Sequence, residues 1–252
     1  MIVCLSDLFH ANSLNFICLQ ETKKKDYKQC FFRRLDPGND FFWKWVPSRG
    51  RSGGMLCGVR NESFEVSTCK LGNYVLQLNL WDKKKKERWS LLTVYGAAHP
   101  EFREEFLAEL AAFCNAVDCP FIVGGDFNIL RHAGKKNIMF TPSHSSALFN
   151  TIIHSLSLRE IYMNGGLYTW SNNHEQPILE RLDKVLMSTC WEGLFPLVSV
   201  TKLVRDKSDH CPLLLNTNEN CTPKTHRDFH FDLSWLQKED FLPKVEEIWQ
   251  KP

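Results

Sequence analysis

The chain has 252 residues, of which 43% are hydrophobic, and its formal net charge at pH 7 is +2. This length and apolar content are enough for a substantial core, and the nearly neutral charge excludes a protein that holds nucleic acid by its global charge. Any attraction to an anionic partner must therefore come from local basic clusters.

The first predicted element is a helix, because apolar residues recur at helical spacing from Ile2 to Phe9. Short apolar or alternating runs follow, and turn residues bound each of them, which predicts strands. These strands run from Phe16 to Leu19, Gly53 to Val59, Tyr74 to Leu80 and Trp89 to Tyr95, and a fifth begins at Phe121.

Two amphipathic helices are predicted in the middle of the chain, one from Phe102 to Phe113 and one near Ser145 to Leu156. Four further strands are predicted at Tyr168 to Ser171, Leu179 to Met187, Leu197 to Val204 and Pro212 to Asn216. Strands dominate and no internal repeat is visible, which favours an α/β or α+β sandwich of two sheets flanked by helices.

The composition changes near the C-terminal end of the chain. Residues beyond Asn218 become polar, and an aromatic stretch then runs from Phe229 to Trp249. We therefore expect one domain over residues 1–217, with a linker and the start of a following region over residues 218–252.

Cysteine usage and hydropathy indicate the compartment. The ten cysteines include no Cys-x-x-Cys pair, and several lie inside apolar, strand-like segments, as expected in a reducing environment. No apolar run approaches the roughly 20 residues that span a bilayer, and no signal peptide is recognisable. The expectation is an intracellular protein that makes no membrane contact.

Three polar clusters lie at predicted strand ends. Gly124 to Asn128 ends the strand that begins at Phe121, Gln20 to Thr22 ends the strand that begins at Phe16, and Ser208 to His210 opens the last strand. A glycine pair at a strand end allows backbone or ligand to come close. The three clusters therefore predict one shared site.

The side chains in these clusters suit metal-assisted cleavage of a phosphodiester. Magnesium keeps several waters and needs only one or two carboxylates, so Glu21 and Asp209 suffice as protein ligands. His210 can stay protonated to stabilise developing charge, or it can accept a proton from water. Asp183 lies in the largely apolar segment from Leu182 to Leu186, needs a partner there, and is the candidate that orients His210.

Six motifs in this order resemble the endonuclease/exonuclease/phosphatase superfamily of magnesium-dependent phosphoesterases. They are LQET at Leu19 to Thr22, VYG at Val94 to Gly96, GGDFN at Gly124 to Asn128, YTW at Tyr168 to Trp170, RLDKVL at Arg181 to Leu186 and SDH at Ser208 to His210. The sequences of these motifs are most similar to those of the apurinic-type endonuclease domain of plant LINE-type (non-LTR) retrotransposons.

The resemblance implies an α+β fold, a four-layer αββα sandwich of two mostly antiparallel sheets. It also implies that the first central strand, which ends in an asparagine, is missing here, so that the chain is an N-terminally truncated relative. A monomer, a nuclear location and an ancestral fusion to a reverse transcriptase are further expectations of this kind.

The resemblance also assigns roles to residues of the site. Glu21 and Asp209 would hold Mg²⁺, with Mn²⁺ as a substitute, and Asp126 would position or deprotonate the attacking water. Asn128 and His210 would contact the scissile phosphate. The supporting residues are then Asp183, which holds His210, Tyr95 and Thr169, which line the phosphate site, and Ser208, which orients its neighbours.

The implied activity is nicking of one strand of duplex DNA, recognised through its backbone, with a 3′-hydroxyl left behind. Arg49 and Arg51 are candidate contacts to DNA phosphates, and a simple flexible turn is the equal alternative for that segment. Two other functions stay open for the chain. One is a catalytically inactive remnant that at most binds nucleic acid, and the other is a phosphomonoesterase acting on small molecules.

Overall fold

A computed structural model of the chain describes residues 13–49, 52–137, 142–205, 208–217 and 241–249. The chain divides into two compact units, Met1–Thr217 and Asn218–Pro252. The helix predicted from Ile2 to Phe9, Arg51, and the aromatic tail before Phe241 lie outside the described residues. The region to which the second unit belongs stays a prediction.

The strands are β1 (Phe16–Leu19), β2 (Phe41–Arg49), β3 (Ser52–Arg60), β4 (Phe64–Leu71), β5 (Val75–Asp82), β6 (Glu87–Tyr95), β7 (Phe121–Asp126), β8 (Arg159–Glu160), β9 (Met163–Asn164), β10 (Trp170–Ser171), β11 (Leu179–Glu180), β12 (Asp183–Met187), β13 (Ser199–Lys202) and β14 (Leu213–Asn216). The α-helices are α1 (Gln29–Leu35), α2 (Arg103–Asn115), α3 (His144–Ser155), α4 (Thr189–Leu194) and, in the second unit, α5 (Phe241–Trp249).

A six-stranded sheet in the order β4-β5-β6-β7-β12-β8 forms the centre of the first unit. Its β6 and β7 run parallel, whereas β7 and β12 are antiparallel. Helices α2 and α3 pack on one face of this sheet through buried apolar residues that include Phe106, Leu110, Phe149 and Ile153. Ser143 caps the start of α3, because its hydroxyl accepts a hydrogen bond from the Ser146 amide.

Two three-stranded sheets, β1-β3-β2 and β14-β13-β9, cover the other face of the six-stranded sheet. The core between them includes Cys57, Leu78, Leu91 and Val200. Helix α1 packs on the outer face of the β1-β3-β2 sheet, where Leu35 and Leu56 are buried. The layers therefore run helix, sheet, sheet, helix, and the predicted α+β class is confirmed.

Most predicted elements correspond to observed ones, and one prediction was wrong in detail. The predicted strand from Leu179 to Met187 is two strands, β11 and β12, which pair with different partners. Arg181 and Leu182 separate them. None of the described helices is long and apolar enough to cross a bilayer.

Glu109 on α2 connects this helix to the turn between β4 and β5. Its carboxylate accepts hydrogen bonds from the backbone amides of Asn73, Tyr74 and Val75 at 3.0, 2.8 and 2.9 Å. Removing an acceptor shared by three amides leaves those donors without this partner and costs their desolvation.

We expect Glu109→Ala to lower the free energy of unfolding by about 2 kcal/mol and Tm by about 4 to 8 °C. Thermal unfolding followed by circular dichroism measures this. Glu104→Ala on the same helix is the control, because the Glu104 side chain is 68% exposed and pairs with an exposed imidazole, that of His144, at 3.6 Å. Exposed pairs of this kind contribute little. Equal losses of Tm in the two variants would contradict the assignment.

Candidate active site

Three site residues lie side by side across neighbouring strands of the six-stranded sheet. In the strand register, Tyr95 is the partner of Asp126 on β7, and Asp126 is the partner of Asp183 on β12. Side chains at directly opposite positions share one face of a sheet and approach closely. The register therefore places a phenol and two carboxylates in a row at one end of the sheet.

Close packing at this strand end requires the second glycine of the GGDFN motif, Gly125. Gly125 has a φ of +142°, and a Cβ there would clash with the backbone carbonyl oxygen of Val94. The same Cβ would lie 3.1 Å from Nε2 of Gln20, which reaches across from the end of β1. Only glycine fits the close approach that brings the Gln20 segment against β7.

Asn128 holds the Asp126 carboxylate. Its backbone amide donates to Oδ1 of Asp126 at 2.9 Å, and its side-chain Nδ2 donates to Oδ2 at 2.9 Å and to the Gly96 carbonyl at 3.0 Å. Asn128 has a φ of +51°, a left-handed conformation that asparagine tolerates. Both amide hydrogens are engaged, so a contact from Nδ2 to phosphate would require Asn128 to release one of these acceptors.

His210 pairs with Asp183. Its Nδ1 lies 2.9 Å from Oδ2 of Asp183, and its Nε2 lies 4.0 Å from Oδ2 of Asp126. Thr169, which is fully buried, fixes the backbone of this pair, because its hydroxyl accepts hydrogen bonds from the amides of Leu182 and Asp183 at 3.1 Å each. Thr169 thus supports the site through Asp183.

The SDH segment is joined to the same region through β10. Trp170 forms an isolated bridge with His210, and the Cys211 amide donates to the Thr169 carbonyl at 2.7 Å. The Ser208 hydroxyl accepts a hydrogen bond from the His210 amide at 3.1 Å. The YTW and SDH motifs are therefore one structural unit, in which Ser208 contacts the backbone of His210.

Burial and neighbouring charges shift the pKa values of the two central groups of the site. Burial, with the nearby charge of Asp183, raises the pKa of Asp126 to about 6. Burial lowers the pKa of His210, but the hydrogen bond to Asp183 and the charges of Asp183, Asp126 and Asp209 outweigh it and raise that pKa to about 9. Near neutral pH the Asp126 carboxylate is ionised and the His210 imidazole is protonated.

The predicted metal ligands Glu21 and Asp209 lie at the rim of the same site. Both side chains are exposed, and Asp209 accepts a hydrogen bond from Nε1 of Trp170 at 2.9 Å. Burial, followed by the charges of Glu21, Asp126 and Asp209, raises the pKa of Tyr95, so its hydroxyl stays protonated. The negative charge of all three carboxylates thus acts on one phenol.

Glu21 has an unusual backbone conformation. Its φ is +49°, which is uncommon for a residue other than glycine or asparagine. The turn is held because the amides of Thr22 and Lys23 donate to the carbonyls of Gly54 and Gly53 at 3.1 and 3.0 Å. The β3 glycines therefore fix the backbone from which the Glu21 carboxylate extends.

Two sets of residues in the site carry ligand atoms of the kind that a divalent cation binds. Ligand atoms of Asp126, Asp183 and His210 lie within 4.8 Å of one another. His210, however, uses Nδ1 for Asp183 and has a raised pKa, and a metal would compete with its proton. Glu21 and Asp209 are carboxylates exposed to solvent, and exposed carboxylates are ligands of the type that a hydrated Mg²⁺ takes.

Several residues that build the site have roles that the sequence does not indicate. Gln20 donates from Nε2 to the hydroxyl of buried Thr93 at 2.9 Å, which connects the end of β1 to β6. Glu160 accepts from Arg131 and Arg181 at 2.7 and 2.8 Å beside the loop after Asn128. Arg181 belongs to the RLDKVL motif, but nothing local in the sequence indicates its partner.

The predicted DNA contacts lie at the edge of the site or outside the described residues. Arg49 is exposed and donates to Oδ1 of Asn73, while Arg51 is outside the described ranges. A Cβ on Gly53 would lie 4.0 Å from both the Arg49 backbone nitrogen and the Tyr95 ring, so the end of β2 borders the site.

Comparison with known proteins gives a family and a fold. The family model described as "Endonuclease/Exonuclease/phosphatase family" matches residues 3–210. A protein of Xenopus laevis described as "Transposon TX1 uncharacterized 149 kDa protein" is 24% identical over 181 residues, which cover 69% of this chain. The chain spans only 14% of the length of that relative.

Solved structures share the fold at low sequence identity. The AP endonuclease LMAP of Leishmania major has a TM-score of 0.67 at 16% identity, over 84% of this chain and 80% of that one. The endonuclease domain of TRAS1, a telomere-specific non-LTR retrotransposon, has a TM-score of 0.65 at 13% identity, over 85% and 91%. An AP endonuclease of Archaeoglobus fulgidus has a TM-score of 0.62 at 14% identity, over 85% and 93%.

Proposed function

Because this chain belongs to the endonuclease/exonuclease/phosphatase family, we propose that it is a magnesium-dependent phosphodiesterase that nicks one strand of duplex DNA. The likeness in fold to AP endonucleases and to the TRAS1 endonuclease domain favours DNA over a small phosphomonoester as substrate. The transposon relative supports an origin in a mobile element.

One observation carries the proposal. Asp126, Asp183 and His210 meet within 4.8 Å at the strand ends where Tyr95 and Asn128 also lie. Their pKa values leave a carboxylate ready to accept a proton beside an imidazolium that can donate a hydrogen bond. A structural ion pair alone would not require Asn128 to orient the same carboxylate in a left-handed conformation.

The residues of the chain have separate tasks in the proposed reaction. Asp126 orients the attacking water and accepts its proton, and Asn128 keeps that carboxylate fixed. Protonated His210 donates from Nε2 to a phosphoryl oxygen, while Asp183 holds the imidazole through Nδ1. The hydroxyl of Tyr95, kept neutral by its surroundings, donates a second hydrogen bond there. A divalent cation on Glu21 and Asp209 would neutralise charge on the phosphoryl oxygens and the leaving oxygen.

Cations beside both rim residues, Glu21 and Asp209, support a nucleic-acid substrate. Lys23 lies 3.2 Å from Glu21, and Arg205 donates to the Asp209 carbonyl at 3.4 Å. Arg49 extends this basic rim along the end of β2. Cations that flank a phosphodiester site can hold the phosphates on either side of the scissile one, without reading bases.

The test is nicking of supercoiled plasmid by the purified full chain. We expect open circles to appear with Mg²⁺ or Mn²⁺ and not with EDTA, and we expect a polymerase to extend the nicks from their 3′-hydroxyl ends. Nicking that persists in EDTA would contradict a metal-dependent mechanism. Salt-dependent DNA binding without any nicking would instead identify an inactive binding remnant. Turnover of small phosphomonoesters alone would indicate the phosphatase function.

A further inference from the structure

Lys184 is a fully buried lysine next to the site, with an exposed fraction of 1%. Its Nζ donates three hydrogen bonds, to the carbonyls of Ile129 at 3.0 Å, Arg181 at 2.9 Å and Leu182 at 2.9 Å. Every hydrogen of the ammonium therefore has a partner, and all three partners are backbone. Nζ also lies 5.6 Å from the centre of the Phe127 ring.

The three carbonyls belong to the two segments that carry the site. Ile129 follows directly on Asp126, Phe127 and Asn128, whereas Arg181 and Leu182 lead into Asp183. The regular pairing of β7 with β12 ends at Asp126 and Asp183. Beyond this point one backbone hydrogen bond still joins the two segments, from the Phe127 amide to the Leu182 carbonyl at 3.2 Å. Lys184 adds the bonds that hold the segments together beyond the end of the ladder.

The electrostatics of this position agree with a charged lysine. Burial lowers the pKa of Lys184 to about 8, but the charges of Glu160, Asp183 and Asp126 oppose that effect. An ammonium among backbone carbonyls and near three carboxylates is stabilised in its charged form around neutral pH.

We propose that Lys184 is a positioning residue, which keeps the Asp126–Asn128 segment in register with Asp183 and thereby sets the geometry of the reacting groups. The effect of Lys184 on the reaction rate rests on the proposed nuclease function. Its effect on the position of the Asp126–Asn128 segment does not depend on that function. An apolar side chain of similar length would fill the same volume yet leave the Ile129 and Arg181 carbonyls without their ammonium donor.

The alternative is that Lys184 only contributes to folding, and a matched pair of variants separates the two roles. Lys184→Met keeps the length of the side chain and removes the donors. Leu186→Ala is the control, because Leu186 lies two residues along β12 on the same face and is fully buried. We expect both variants to lose several degrees of Tm. The two variants then have comparable stability but different causes of its loss. Lys184→Met removes hydrogen bonds, whereas Leu186→Ala removes apolar packing.

We expect Lys184→Met to lower kcat for plasmid nicking by about 10- to 100-fold, with KM changed less than about 2-fold, because misplaced reacting groups slow chemistry more than binding. Leu186→Ala should change kcat less than about 3-fold, measured well below its Tm. Lys184→Arg, which keeps the charge and several donors, should recover at least half of the lost activity on a logarithmic scale. A fall in kcat that follows Tm equally in Lys184→Met and Leu186→Ala would overturn the proposal.

Hydrogen exchange gives a readout that does not depend on activity. In Lys184→Met we expect the amides of residues 127–130 to exchange at least about 10-fold faster than in Leu186→Ala at equal global stability. Equal exchange in the two variants would overturn the positioning role even if both were slow enzymes. If the wild-type chain does not nick DNA at all, the nuclease proposal fails, and the exchange data still decide whether Lys184 holds the segment.

Discussion

Replacing Asp126 by asparagine is expected to reduce magnesium-dependent nicking by about 10³-fold while the protein stays folded. Asparagine has nearly the same shape and can still accept the hydrogen bond from the Asn128 amide at Oδ1. It cannot take a proton from water, and it cannot carry the negative charge that helps to keep His210 protonated. The loss should therefore appear mainly in kcat, since Asp126 is 4% exposed and its task in the site is proton transfer rather than binding of the DNA backbone.

A matched substitution controls for the change of charge. Asp118→Asn removes one carboxylate from an exposed position after α2, away from the strand ends that carry the site. This variant should nick at the wild-type rate, and far-UV circular dichroism should be the same for all three proteins. An Asp126→Asn enzyme within a factor of about ten of wild type would show that Asp126 is not the proton acceptor.

The main elements of the fold are readable from local patterns because their apolar residues recur at the spacing of the element. β1 was predicted at its observed bounds, and α2 and α3 were predicted to within about two residues. β2 is not predicted, since three of its aromatic residues (Phe41, Trp43 and Trp45) pack on the side of helix α1, Phe42 on the other side is exposed, and Pro47 interrupts the pattern. β4 was missed because only Phe64 among its residues is buried.

The site was predictable where its chemistry lies at strand ends, and unpredictable where it depends on partners distant in sequence. Asp126 and Asp183 are 57 positions apart, and only the antiparallel register makes them neighbours. Nothing next to Lys184 in the sequence indicates that it is buried, because one of the carbonyls that accept from it, that of Ile129, is 55 positions away. The assignments of Glu21 and Asp209 to a metal stay predictions.

The second large effect that we expect concerns pH. Nicking requires ionised Asp126 and protonated His210, so kcat should rise through about pH 6, stay level, and fall through about pH 9. Asp183→Asn weakens the hydrogen bond to His210 and removes the Asp183 charge, both of which raise the pKa of His210. That pKa should fall towards its usual value of 6.5, and the alkaline limb should move down with it. At pH 9 the variant should nick about 100-fold more slowly than wild type, and the deficit should shrink as pH falls.

The acid limb provides an internal check on the same variant, because the charge of Asp183 also raises the pKa of Asp126. Removing that charge should shift the acid limb to lower pH, so both limbs should move in the same direction. A purely structural defect would instead lower the whole profile without moving its limbs. NMR titration of the His210 imidazole measures the shift without DNA or metal, and a His210 pKa unchanged by Asp183→Asn would contradict the pairing on which the proposed mechanism depends.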